Sequence, residues 1–498
     1  MRRLALAVLL LGLGVRLAGA TILVPMSDDD LVATSDVIAV GTVRDIRTVL
    51  LEGNRIVTRV TIAVERALKG GDGSPTLVVT EPGGAVGGRR IVIHGAPEYA
   101  VDEHVVVFLR LVRDGTLVTN AMALGKYAVD ADAVARRDVP VADVRALDGF
   151  VAGVAARVAG QRGAATDGRA GAAVSPADLE AVAPAFTFTA GAGGLPARWF
   201  EADCGVPVTF SAANADDTHP AESRSALGSA LAAWSHVDGA SIVLGAVPDT
   251  TPTPSITSGT FDGRNVIQFN DPFGEVPDLV NCTGVLARGG FGGASDEAFG
   301  LRQTVSDATF GRIIEGDVVV NNATGACVSG EAGLAEVLAH ELGHTLGFGH
   351  SSEDPNEPDP ARRDALMFFL AHDDGRGASL RADDIAGLHF IYPAARLALT
   401  PVAAFACETR VGILGASCFG HVLNVGPFNV LKRAQAAAAR AATSPTPAKQ
   451  KKQVRKARRL LVRTIGSIRQ TIGGDCGAAM RATAQRLRDE ATALLATL

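Results

Sequence analysis

Short apolar runs rich in β-branched residues dominate the chain up to about residue 129. They include DVIAVGTV, RIVTRVTIAV, TLVVT, RRIVIHG and HVVVFLRL, and Gly-Gly, Pro-Gly and Asp-Gly pairs lie between them. Runs of this length and period predict five or six short strands, with no clear helix. We therefore expect a small β-barrel or sandwich here. His94 and His104 have no partner at ligand spacing, so we interpret both as ordinary strand residues.

The pattern changes twice further along the chain. Between residues 198 and 394, strand-like runs such as VPVTFSA, NVIQFN and IIEGDVVVNN accompany two segments of helical spacing, AESRSALGSALAAWSHV and GEAGLAEVLAHELGHTLGF. This predicts a mixed α/β unit. The last hundred residues are helix-forming stretches broken by Ser-Pro-Thr-Pro, which predicts a helical hairpin or bundle.

Alanine and glycine dominate residues 151–196, and large apolar side chains become rare after Val158. Such a composition does not build a core of its own, so we predict a linker, with room for a short helix at its start.

The first twenty residues, MRRLALAVLLLGLGVRLAGA, place two arginines before an apolar run and small residues at its end. This is typical of a secretory signal peptide with cleavage after Ala20. An uncleaved membrane anchor is the alternative, but Arg16 interrupts the run, which is also short for a span. No other stretch reaches the roughly 18 to 20 apolar residues of a span. We therefore expect a secreted or extracellular protein without a stable membrane span, with the periplasm and the cell surface left open.

The net charge of −6 hides an uneven distribution along the 498 residues. From Ala395 onward there are 17 Lys and Arg against 4 Asp and Glu, so an acidic body is joined to a basic tail. The tail either contacts polyanions, docks on the protein's own acidic body or forms a solvated helical face. Because no aromatic residue follows Phe428, base stacking is unsupported and we expect no nucleic-acid partner.

Six cysteines in an exported chain favour disulfides. We pair Cys282 with Cys327 and Cys418 with Cys476, because each pair lies within one predicted domain. No C-x-x-C pair indicates a cysteine zinc site.

The segment HELGHTLGFGH, residues 340–350, contains three of the ten histidines. On a helix, His340 and His344 share a face and can present both rings to one ion. Gly347 allows a left-handed exit from the helix, which can bring His350 to the same ion. Three neutral imidazoles leave a fourth tetrahedral position open, as in a catalytic zinc site. Zinc would lower the pKa of a bound water to about 7, and Glu341 can act on that water as general base.

This segment resembles the H-E-x-x-H-x-x-G-x-x-H signature of the metzincin metalloproteases, and Ser351 resembles the matrixin branch. ALMFF is similar to a Met-turn, which implies Met367 as an apolar floor under the zinc. LRADDIAGLHFIYP is similar to the closing helix of matrixin domains, expected from about Ala382 to Ile391. The resemblance covers roughly residues 198–394.

CTGVLARGGF, residues 282–291, resembles the edge strand along which matrixins align an extended substrate. The resemblance implies that a protein or peptide substrate pairs its backbone with Val285, Leu286 and Ala287.

Three features bear on the metal ions and on latency. Many matrixins hold a second, structural zinc through histidines near the edge strand, but Arg288 stands there and no histidine occurs between residues 236 and 340. We expect one catalytic zinc ion. Calcium is left open, without an EF-hand-like spacing to support it. CGVP at 204–207 matches part of the matrixin cysteine switch, but Cys204 runs directly into a predicted strand, so we favour a disulfide.

Together these patterns predict a multidomain α/β chain. The units are a signal peptide (1–20), a β-rich, OB-like domain (21–150), a linker (151–196), a metzincin domain with a mixed twisted sheet and an active-site helix (197–395), and a basic α-helical domain (396–498). The expected function is that of a secreted zinc-dependent endopeptidase. The alternative is a non-catalytic zinc-binding surface or adhesion protein, against which Glu341 argues, and a third reading is hydrolysis of a non-peptide amide or ester. The N-terminal domain could be inhibitory, substrate-recruiting or structural.

Overall fold

The computed structural model of the chain describes residues 22–71, 73–137, 143–160, 186–394, 399–418, 421 and 423–498. The predicted signal peptide and most of the predicted linker lie outside these residues. The described part is a mixed α/β structure with several sheets and eleven α-helices.

Strands dominate the N-terminal part, as its β-branched sequence predicts. The prediction of five or six strands without a helix is wrong, because nine strands and the helix α1 lie before residue 130. The strands are β1 (Leu23–Val24), β2 (Val37–Leu51), β3 (Arg55–Lys69), β4 (Thr76–Pro82), β5 (Gly84–Val86), β6 (Arg89–Ile93), β7 (His104–Leu111), β8 (Leu117–Thr119), β9 (Lys126–Val129), β10 (Val134–Arg137) and β11 (Asp143–Ala146), and the helices are α1 (Asp28–Thr34) and α2 (Leu147–Val158). We call β1–β11 with α1 and α2 the N-terminal β unit.

Eight of these strands form one sheet in the order β11-β10-β9-β7-β2-β3-β4-β8, and β8 also pairs with β7. The five strands from β7 to β8 therefore close into a ring. Valines and isoleucines at alternate positions, such as Val60, Ile62, Val105 and Val107, are fully buried inside it. A second core lies outside the ring, where α2 packs Phe150 and Val151 against it.

The central part of the chain contains a second sheet and five helices. The elements are β12 (Ala197–Arg198), β13 (Val208–Ala213), α3 (Ser223–Ser235), β14 (Leu244–Val247), β15 (Val266–Gln268), β16 (Gly284–Val285), β17 (Ala287–Ala294), β18 (Arg302–Val305), β19 (Ala308–Val320), α4 (Thr324–Cys327), α5 (Gly330–Thr345), α6 (Pro360–Arg363) and α7 (Ala382–Ile391). The closing helix α7 has the predicted bounds.

This second sheet has the order β14-β13-β15-β19-β17-β6-β5, so two strands of the N-terminal β unit extend it. The contacts among β13, β14, β15 and β19 are parallel, whereas β17 is antiparallel to both β19 and β6. Helices α3 and α5 pack together, and Trp234 of α3 donates to the carbonyl of Ala339 in α5.

The C-terminal part consists of α8 (Pro401–Val411), α9 (Val425–Ala442), α10 (Pro447–Thr471) and α11 (Gly474–Thr497). Their apolar faces share one core that includes Leu431, Leu461 and Leu487. Disulfides join Cys204 to Cys407, Cys282 to Cys327 and Cys418 to Cys476; the last two are the pairs proposed from the sequence. None of the described helices combines the length and apolar character that crossing a membrane requires.

Candidate metal centre

Helix α5 lies in the middle of the core of the central part and contains the first two histidines of the site. Its residues from Gly333 to Thr345 are all buried, because apolar side chains such as Leu334, Leu338 and Leu342 contact the sheet and α3. His340 and His344 lie four residues apart on this helix and are completely buried. They therefore face the same point in space, as the spacing predicts.

Gly347 reverses the chain directly after α5. Its φ is +99°, in the region that side-chain-bearing residues avoid, and a Cβ there would lie 2.2 Å from the carbonyl oxygen of Ala197. The turn brings His350 back toward the helix, where the ring is buried.

The three histidine rings converge through their Nε2 atoms. The Nε2 atom of His340 is 3.0 Å from that of His350 and 3.0 Å from that of His344. Each Nδ1 atom lies within hydrogen-bond distance of an oxygen: the Leu366 carbonyl for His340, the Phe348 carbonyl for His344 and the Glu353 carboxylate for His350. An Nδ1–H donated to these acceptors leaves each Nε2 lone pair directed at the common centre.

Burial keeps these rings neutral. It lowers the pKa of His340 to about 4 and those of His344 and His350 well below the ordinary value. Neutral imidazole is the form that binds a metal ion.

Met367 packs against the helix that carries His340 and His344. A Cβ on Gly343 of α5 would lie 2.3 Å from the Met367 sulfur, so the thioether packs directly against the helix backbone. The Met367 amide donates to Asp384 of α7, and its carbonyl accepts from Ser351. The turn thus ties the third histidine, the methionine and the closing helix together.

Glu341 follows the first metal-site histidine, His340, on α5 and is completely buried. Its Oε1 accepts the amide of Ile22 at 3.1 Å, and its Oε2 accepts the amide of Gly289 in β17. Burial raises the pKa of Glu341 to about 8, although both amide hydrogen bonds act in the opposite direction.

The predicted substrate edge is buried as well. Val285 ends β16, Ala287 begins β17, and Leu286 lies between them, each 1% exposed or less. On one side the Leu286 carbonyl accepts the amide of Asn321, which follows β19. On the other side the Leu286 amide donates to the Ile22 carbonyl, so the N-terminal β unit lies where the resemblance places a substrate.

Sequence reasoning missed several residues of the site. Its interpretation of His94 as an ordinary strand residue overlooks a direct contact: the ring is buried and stacks on His344, with centroids 4.0 Å apart and planes 12° from parallel. Ile22 and Glu353 were also missed. Glu353 follows His350 by three residues, and that spacing was the one available signal, whereas nothing local in the sequence links His94 or Ile22 to the motif.

The donor set fits a zinc ion. The ligand atoms of His340, His344 and His350 all lie within 4.8 Å of one another, and no other group of His, Cys, Asp and Glu in the described part of the chain has this arrangement. Three buried, neutral nitrogens with oriented rings match the ligands of zinc sites that keep a fourth position open.

Two histidines from a buried helix and a third from the glycine turn after it define the class of site, a helix-based group of three histidines that could hold a metal ion. Residues 198–393 match the family model Peptidase_M10, described as Matrixin. The predicted resemblance to the matrixin-like metzincins is therefore confirmed for this segment, which is less than half of the chain. The match supports a zinc-dependent metalloprotease. No curated protein matches the chain.

Proposed function

We propose that the chain is a secreted zinc-dependent endopeptidase. The observation that supports this most directly is the convergence of three neutral Nε2 atoms at the helix that carries Glu341. The Glu341 carboxylate also accepts the amide of Gly289 in β17, the strand that follows the predicted substrate edge and whose outer side β6 occupies here. The predicted signal peptide and the three disulfides support an oxidising compartment.

In this proposal His340, His344 and His350 hold the ion, which supplies Lewis-acid polarisation of the scissile carbonyl and makes water acidic. Glu341 accepts a proton from the attacking water and delivers it to the leaving amine. The backbone of residues 285–287 aligns the extended peptide by strand pairing. Gly347 and Met367 position the third histidine.

Cleavage of denatured casein tests the proposal. Val92 of β6 and Ile22 pack in the same core as Leu286 of the predicted substrate edge and so cover that edge. The assay therefore uses the full chain carrying Val92→Asp beside the unchanged chain, each with and without a zinc chelator. Glu341→Ala, combined with Val92→Asp, is expected to keep one zinc per chain and to lower cleavage by roughly a hundredfold or more.

Glu331→Ala provides the matched control, because Glu331 is an exposed glutamate at the start of the same helix. It should cleave like the Val92→Asp chain. Chelator-insensitive cleavage, or full activity in Glu341→Ala, would refute the assigned roles. Bound zinc without any cleavage would instead support the binding-protein alternative.

A further inference from the structure

Two segments of the N-terminal β unit lie along one edge of the central sheet. Strand β6 pairs antiparallel with β17, from Arg89 opposite Ala294 to Ile93 opposite Gly290. Strand β1 pairs antiparallel with β16, with Leu23 opposite Val285 and Val24 opposite Gly284. Both segments therefore run in the same direction along residues 284–294, as the two halves of a single extended peptide would.

The two segments meet the metal centre at their facing ends. The His94 amide, after β6, donates to the Gly289 carbonyl, and the His94 ring covers His344. Ile22, before β1, donates its amide to Glu341. No peptide bond joins His94 to Ile22, so the line of backbone is interrupted beside Glu341.

Two side chains of these segments, those of Ile22 and Val92, belong to the core of the central part. Ile22 and Val92 are 1% and 7% exposed and pack in the same cluster as Leu286, Phe291 and Leu342. Neither contributes to the two cores of the N-terminal β unit. A Cβ on Gly290 would lie 2.6 Å from the Val92 carbonyl, so the two backbones are in close contact.

We propose that the N-terminal β unit is an inhibitor of the metalloprotease domain to which it is tethered, acting by occupying the substrate edge on both sides of Glu341. This rests on the proposed function. A contact that only stabilised the chain could be made elsewhere on the central part. These segments instead pair with the backbone of residues 284–294, stack the His94 ring on His344 and donate the Ile22 amide to Glu341.

Variants of the full chain test this proposal. Val92→Asp and Ile22→Asp each bury a carboxylate in the interface but leave both cores of the β unit intact. Val101→Asp is the matched control, because Val101 belongs to the same unit and is 55% exposed. The zinc-loaded chains are titrated with a fluorescein-labelled tripeptide hydroxamate, a zinc chelator able to pair with a sheet edge, and binding is followed by anisotropy.

Both interface variants are expected to bind this probe roughly tenfold or more tightly than the unchanged chain, because burying an unpaired carboxylate strongly disfavours docking. Casein cleavage should rise in parallel, and Val101→Asp should behave like the unchanged chain. Circular dichroism and Tm establish that each variant is folded, and the two positions serve as independent tests.

Equal probe binding by all four chains would overturn the inference, whatever their cleavage rates, and cleavage would then still support the proposed function. If the interface variants bound the probe more tightly but cleaved no casein, the β unit would still be shown to block access to the metal centre. The proposed function would then be refuted.

Discussion

Gly347 meets two demands of the metal centre at once. The chain must turn with positive φ after α5, and its backbone must pass close to the Ala197 carbonyl. Only a residue without a side chain satisfies both. The position of His350, and with it the third nitrogen of the site, therefore depends on one glycine.

Gly347→Ala is expected to lower stability by roughly 1 to 3 kcal/mol from backbone strain, with an added cost from the contact with Ala197. It should also weaken zinc binding, because His350 is displaced. Thermal unfolding and chelator competition measure the two effects. Gly228→Ala is the control: this exposed glycine of α3 has open space at its Cβ, so we expect a gain of roughly 0.5 to 1 kcal/mol. Equal behaviour of the two variants would contradict the prediction.

At the residue scale, the sequence predicts contacts between residues that are close along the chain and misses contacts between distant ones. The i, i+4 spacing and the glycine turn are local, so His340, His344 and His350 could be brought together from the sequence. The acceptors that orient two of their rings are the carbonyls of Leu366 and Phe348, and any residue type supplies a carbonyl. Such partners leave no signal in the sequence.

At the scale of elements, the strand RRIVIHG is predicted from its pattern, but its sheet is not. The alternation that marks β6 is the same whether it pairs within the N-terminal β unit or with β17. By contrast, α7 could be predicted with its bounds, because its acidic first turn and helical spacing are local.

Helix α11 offers a test of electrostatics between elements. Partial burial, followed by repulsion from Glu408 of α8, raises the pKa of Glu490 to about 7. The folded state therefore holds this proton more tightly than the unfolded state. Stability is fully retained below the ordinary value of 4.5 and falls as the pH rises from there to about 7.

Glu490→Gln removes this loss of stability at high pH, because glutamine cannot ionise. Its Tm should exceed that of the unchanged chain at about pH 8, and the two should approach each other near pH 4.5. Calorimetric scans at both pH values measure this. A difference in Tm that does not change with pH would contradict the assigned cause.

At the scale of the whole molecule, the helical unit is bound to the central part by covalent and polar contacts. Cys204 is joined to Cys407 of α8, and Arg410 of α8 forms an ion pair with Asp203. Arg312 of β19 donates to the carbonyls of residues 411 and 414. From the sequence, docking of the helical unit on the rest of the protein is one of three alternatives, and the residues that make the contact are not indicated, because both arginines have the pattern of ordinary surface charges.

Replacing Cys204 and Cys407 together by serine should lower stability by about 3 to 5 kcal/mol, because the bond closes a loop of 203 residues. Zinc content should not change, since neither cysteine contacts the metal centre. Replacing Cys418 and Cys476 instead isolates the effect of a bond within the helical unit. A loss of zinc in the first variant would show that the helical unit supports the site.

The interruption between His94 and Ile22 has a consequence for how long latency lasts. A continuous peptide bound along residues 284–294 would place a peptide bond beside Glu341 and would be cleaved. His94 and Ile22 only face each other, so no peptide bond lies at that point. On the inhibitor proposal, enzyme and inhibitor are also made in a fixed one-to-one ratio, and their encounter is intramolecular. The fraction of molecules in which the N-terminal β unit is undocked is then independent of protein concentration. Dilution outside a cell therefore does not activate the enzyme. Activation requires a partner or a cut that separates the two units.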